Sequence, residues 1–192
     1  MAIINQLDTL PDDLPVPPDD GACAHLPGTA VPSIALSATD GTAVDLAALG
    51  GRSVVFFYPR TGQPGQPALI DHWNSVPGAR GCTPQSCGYR DLAGDFRQLG
   101  CRVFGLSTQD TAYQQEMVAR LGLPFPVLSD AQLRLTLALA LPVFDAAGQR
   151  LIKRMAWVLE DGKIIKVFYP VFPPDQNAAE VLQWVRTHPA AP

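Results

Sequence analysis

The chain has 192 residues, 47% of them apolar, and its 18 acidic against 14 basic side chains leave a formal charge of −4. That length suits one domain with room for a long loop or an arm, and an acidic chain without a basic stripe is poorly suited to nucleic acid or an anionic membrane surface. No segment is apolar for long enough to span a bilayer, and the start lacks the basic flank and apolar stretch of a secretory signal, so a cytoplasmic location is expected.

In chain order, residues 1–26 hold clustered prolines and aspartates (PDDLPVPPDD), which disfavour helix and strand interiors, and read as an extended arm. The body is expected over residues 27–188, with a short tail at 189–192. Within it, Ile34 to Asp45 places Asp40-Gly41 between two β-forming segments, a hairpin signal. The run SVVFFY, Ser53 to Tyr58, is short, apolar and bounded by Gly51 and Pro59, so it predicts a strand buried on both faces. Residues 60–80, rich in Gly and Pro, have no periodicity and read as a long loop.

Leu92, Phe96 and Leu99 then fall at i, i+4 and i+7 with charges between them, which predicts an amphipathic helix ended by Gly100, with Thr83 as N-cap and Pro84 as its first residue. RVFGLS, Arg102 to Ser107, predicts a second buried strand. A helix from about Asp110 follows, with Tyr113, Met117 and Leu121 on one face and Gly122 as the stop. After Asp130, AQLRLTLALALP alternates like a strand but has helical composition, and a helix is the expectation. MAWVLEDGKIIKVFY predicts a hairpin about Asp161-Gly162, and Ala178, Val181, Leu182 and Val185 mark a last helix. The sum is an α/β chain with a central mixed sheet flanked by helices.

Four cysteines, Cys23, Cys82, Cys87 and Cys101, are not needed as disulfide staples in a chain of this size, and reactive or packed thiols fit better. The three histidines are scattered and no Cys-x-x-Cys pair is present, so no metal site is expected. Cys82 and Cys87 flank the start of a predicted helix. A thiolate at such a terminus meets unpaired amides and the positive dipole end, which favours ionisation and nucleophilicity. Two small buried hydrophobes account for bare cysteines equally well. For Cys101, packing is expected, and Cys23 in the arm reads as an incidental exposed thiol. On an intact helix, residues five apart have Cα atoms roughly 8 to 9 Å apart, whereas a disulfide needs about 4.4 to 6.8 Å. Pairing of the two would require the first turn to open.

The segments VVFFYPR, GCTPQSCGYRD, VFGLSTQD, LGLPFPVLSD and KRMAWVLEDGKI, in this order between about Pro27 and Trp184, resemble the peroxiredoxin family, specifically its Q-type or bacterioferritin comigratory branch. The resemblance implies a thioredoxin-like fold, with Cys82 as the peroxidatic and Cys87 as the resolving cysteine. It implies that Arg154 supports the thiolate and orients the peroxide, and that Pro59 shields the site. It further implies reduction of hydrogen peroxide and small organic hydroperoxides, regeneration by thioredoxin or a similar dithiol protein, and no metal or organic cofactor. A monomer or weak homodimer is expected. One departure stands out: the family pattern Pro-x-x-x-Thr-x-x-Cys has Ala79 at its threonine, and residues 60–80 form an insertion between Pro59 and Cys82. Thr61 is the candidate substitute hydroxyl. A protein thiol-disulfide oxidoreductase, or a redox sensor without turnover, is the alternative for such a fold.

Overall fold

The structure, a computed structural model, describes residues 7–190. Its spine is β3 (Arg52–Phe57), every residue of which is buried, as the uninterrupted apolar run predicts. β3 pairs in parallel with β4 (Arg102–Ser107) and antiparallel with β8 (Met155–Glu160). Beyond β4 come β5 (Val127–Ser129), β1 (Ala35–Ala38) and β2 (Ala43–Asp45), and beyond β8 comes β9 (Lys163–Phe168), giving a seven-stranded mixed sheet in the order β2-β1-β5-β4-β3-β8-β9. Both expected hairpins, β1–β2 and β8–β9, form.

Alternation along β3 divides the core. Val54 and Phe56, with Tyr58 beyond the strand end, face one side, where they meet Tyr89 of α1 (Cys82–Asp91), Phe96 of α2 (Ala93–Gln98), Met117 of α3 (Thr111–Leu121) and Val181 of α5 (Asn177–Thr187). Phe56 stacks on Tyr89 with ring centroids 4.3 Å apart, a contact worth about 0.5–1.5 kcal/mol beyond its area. Val55 and Phe57 face the other side with Trp157, Leu26, Leu36 and Leu135. This second face is covered largely by the arm and by α4 (Arg134–Ala138) rather than by long helices.

Several expectations are corrected here. The helix carrying Leu92 and Phe96 is two segments broken at Leu92, and Leu99 lies past its end, 41% exposed. Its N-cap is Gly81 and its first residue Cys82, not Thr83 and Pro84. Pro84 lies within the first turn, where the missing N–H leaves no intrahelical bond unmade. The leucine-rich stretch after Asp130 yields only the five-residue α4, bounded by Leu133 and Ala140 in left-handed conformations and capped by Asp130, which accepts from the Leu135 and Thr136 amides. Cys23 is buried, not exposed, with its sulfur 3.9 Å from that of Met155, and burial raises its thiol pKa to about 12. A further hairpin, outside those the sequence predicts, pairs β6 (Val143–Ala146) with β7 (Gln149–Ile152). Against it packs the 60–80 loop, through Trp73 on Phe144. No helix among the described residues is long and apolar enough to cross a membrane.

Candidate active site

The chain leaves the 60–80 loop through Gly81, whose φ of +105° and lack of a side chain let it pass close to Pro174 and Leu10. That turn delivers Cys82 as the first residue of α1, 3% exposed. Its sulfur lies 3.2 Å from Arg154 Nη2 and 3.6 Å from the Ala79 carbonyl oxygen. Arg154, buried just ahead of β8, is held in turn: Nη2 also donates to the carbonyls of Ala79 and Arg80 at 3.2 and 3.1 Å, and Nη1 donates to Gln85. Gln85 Nε2 donates to Asn177 Oδ1 at 3.0 Å, and the Tyr89 hydroxyl donates to the same oxygen at 2.9 Å. A buried polar chain thus runs from the sulfur through Arg154 and Gln85 to α5. Such a network orients its members, although Arg154 Nε and Asn177 Nδ2 are buried in it without a hydrogen-bond partner among the described residues. Neither Gln85 nor Asn177 stands in a recognisable motif, and no local signal in the sequence marks either.

Cys87 lies in the same helix, half-buried and unpaired, as Cys82 is. Burial pushes its thiol pKa up, and the positive charge of Arg90 pulls the other way. Helical geometry turns the two sulfurs' side chains to faces about 140° apart, and Ser86 Oγ, donating to the Cys82 carbonyl at 2.9 Å, ties down the turn between them.

A cavity of about 350 Å³ opens on this sulfur; Cys82, Thr83, Thr61, Tyr113, Arg60 and Arg80 are among its lining residues. Thr61 therefore comes to the same space as Cys82. Its amide and hydroxyl both donate to Gln109 Oε1, at 3.1 and 3.4 Å, and Tyr113 donates to its carbonyl. Ala79 is fully buried, and its contribution to the site is its carbonyl oxygen. Pro59 is buried just past the end of β3 and does not line the cavity. The arm reaches the site as well: Leu7 lines the cavity, and Thr9 offers its carbonyl to Arg80 at 3.2 Å.

An arginine-paired cysteine at a helix start, facing a cavity, can present a sulfur anion to an electrophile. Comparison with known proteins agrees. The redoxin family profile matches residues 26–182. The chloroplastic peroxiredoxin Q of Oryza sativa subsp. japonica is 32% identical over 158 residues, which is 81% of this chain and 64% of the rice protein. A peroxiredoxin of Mycobacterium tuberculosis is 33% identical over 150 residues, 76% of this chain and 85% of that protein. Among solved structures, peroxidoxin BcpB of M. tuberculosis superposes with a TM-score of 0.68 at 27% identity, over 86% of this chain and all of the other. Peroxiredoxin Q of Xanthomonas campestris does so with 0.67 at 23% identity, over 86% and 98%, which supports the thioredoxin-like fold. This chain belongs to the redoxin family, and within it to the peroxiredoxins.

Proposed function

We propose that the protein is a thiol peroxidase acting on hydrogen peroxide and small organic hydroperoxides, with Cys82 as the attacking residue. The observation that carries this is the Arg154 guanidinium 3.2 Å from a buried sulfur that faces a cavity. The Cys82 thiolate attacks one peroxide oxygen, the O–O bond breaks, and the departing oxygen leaves as water or alcohol after taking a proton. Sulfur is oxidised by two electrons to the sulfenic acid. Arg154 holds the thiolate and donates to the oxygen on which charge develops. The Cys87 thiol then condenses with the sulfenic acid, water is lost, and an intrachain disulfide forms. A thioredoxin-type dithiol returns both cysteines to thiols by exchange. Each step balances with thiols and peroxide alone. Pro59 serves as packing behind the site, and Thr61, which lines the same cavity as Cys82, supplies the hydroxyl missing at Ala79.

Because the resolving thiol is in the same chain, a monomer or weak homodimer suffices. Four unpaired cysteines suit a reducing compartment, and the cytoplasm is our assignment. The absence of a Cys-x-x-Cys pair weighs against a dedicated thiol-disulfide oxidoreductase.

The test is peroxide consumption coupled to thioredoxin, its reductase and NADPH. Cys82→Ser abolishes turnover. Cys87→Ser consumes one equivalent of peroxide and stops at the sulfenic acid, which a dimedone adduct detects by mass. Undiminished turnover by Cys82→Ser sinks the proposal.

A further inference from the structure

A second cavity, of about 250 Å³, meets Arg154 but shares no lining residue with the one in front of Cys82. Four segments wall it: the arm through Pro17 and Pro18, the 60–80 loop through Val76, the β6–β7 hairpin through Phe144, and the chain at and after the end of β9 through Tyr169 and Val171. These walls are aliphatic, proline ring or aromatic ring. Two cations also line it, Lys153 and Arg154, and among the described residues no carboxylate does. Both cations are already engaged. Lys153 Nζ is held by Asp20 at 2.7 Å, and the Tyr169 hydroxyl donates to the same carboxylate at 2.8 Å. Arg154 donates through Nη1 and Nη2 to Gln85, two carbonyls and the Cys82 sulfur, and its unpartnered Nε is sealed from solvent. The cavity therefore offers apolar surface and no open charge.

We propose that this cavity is a binding site for a compact, uncharged aromatic molecule of one or two rings. An apolar cavity of about 150 Å³ already takes benzene, so about 250 Å³ leaves room for a second ring. Rings suit the walls, since Phe144 and Tyr169 offer aromatic faces and edges, and burial of hydrocarbon supplies the affinity. A charged ligand loses its hydration here and finds no free counter-charge. The site exists only while the arm is seated, because Pro17 and Pro18 close it against the loop and the framework. A ligand that binds the assembled walls, and not a released arm, holds the arm down by mass action. It also touches Arg154, the group that meets the Cys82 sulfur, without entering the space in front of that sulfur. Such a site is independent of the peroxidase reading and goes beyond it.

The probe is indole, titrated into the reduced protein and followed by methyl NMR. The Val76 and Val171 methyl signals are expected to shift, while those of Leu7 and Leu69, at the cavity in front of Cys82, stay in place. Tryptamine and indole-3-acetate, a cation and an anion on the same ring system, are expected to bind at least ~10-fold more weakly than indole. Saturating indole is expected to slow proteolytic cleavage within the arm several-fold. Val76→Phe, which fills the cavity from the loop side, abolishes both the Val171 shift and the protection. Should that variant lose its native spectrum, the three ligands compared on the wild type decide the matter by themselves. Absent shifts, shifts at Leu7 and Leu69 instead, equal affinity for the three indoles, or arm cleavage at an unchanged rate each overturn the inference. None of these readouts involves peroxide, so the peroxidase reading stands or falls separately.

Discussion

Strand β3 and the loop that follows it both lead to Cys82, yet they are held by different means. β3 is buried along its whole length, laddered on both edges, and packed on both faces by aromatic and β-branched side chains. Residues 60–80 contain a single short 3₁₀ turn, and they are seated by Trp73 on the β6–β7 hairpin and by contact with the arm. The framework carries Arg154 and α1, and so sets the distance from guanidinium to sulfur. The loop and arm carry the cavity's walls. On the proposed function, the chemistry common to every peroxide falls to the framework, while the loop and arm shape the space that the substrate enters.

Arg154→Gln separates the two most sharply. It removes a charged hydrogen bond worth about 1.5–3 kcal/mol, or roughly 10- to 150-fold in rate, and leaves Gln85 and two carbonyls without their donor. The expected loss in kcat/KM in the thioredoxin-coupled assay is of similar size for hydrogen peroxide and for cumene hydroperoxide. A loss confined to one substrate breaks the assignment. Gly81, the joint between loop and helix, ranks next. An alanine there is held at φ +105° with its Cβ 2.3 Å from Pro174 Cγ, which is expected to cost about 1–3 kcal/mol in urea-unfolding stability and to shift Cys82 off Arg154. A Gly81→Ala protein with an unchanged urea midpoint shows that the joint yields freely. A smaller signal comes from oxidation of the wild type, which is expected to speed amide hydrogen exchange from Gly81 to Tyr89, because the helix opens to bring Cys82 and Cys87 together. Unchanged exchange there argues for a different resolving partner.

The framework was legible because burial writes itself into periodicity. SVVFFY and RVFGLS could only be strands packed on two faces, and Tyr113, Met117 and Leu121 repeat at helical spacing before a glycine. The β6–β7 hairpin was not, since its two-residue turn is Ala147-Gly148, and an alanine with φ of +47° carries none of the Asn or Asp signal of such turns. The leucines around Leu135 misled because Leu135, Leu139 and Leu141 are buried one by one by an irregular chain, while Leu137 is 66% exposed. At the site, the position at a helix start marks the cysteine pair, and the family motifs mark Arg154. Gln85 and Asn177 are not marked, because a buried hydrogen-bond chain joining residues so far apart in sequence leaves no local pattern.

The smallest effect tests where the two regions are tied together. Asp20 of the arm accepts from Lys153 Nζ at 2.7 Å and from the Tyr169 hydroxyl at 2.8 Å, anchoring the arm beside Arg154 and at the end of β9. The Lys153 bond, with that of Tyr169 second, holds the carboxyl pKa at about 2. In the unfolded chain the value is about 3.9. A carboxyl with a depressed folded pKa lends its full stability above the unfolded value and loses it as pH falls towards the folded one. The anchor therefore weakens between about pH 4 and pH 2. Both side chains are more than a third exposed, so solvent screening keeps the contribution small. Urea unfolding at stepped pH should show the wild type losing slightly more stability than Asp20→Asn across that window. Limited proteolysis at neutral pH should cut the variant's arm sooner. Identical acid profiles and cleavage rates would mean that the arm is held by its apolar contacts alone, with Leu7 reaching the cavity independently of this carboxylate.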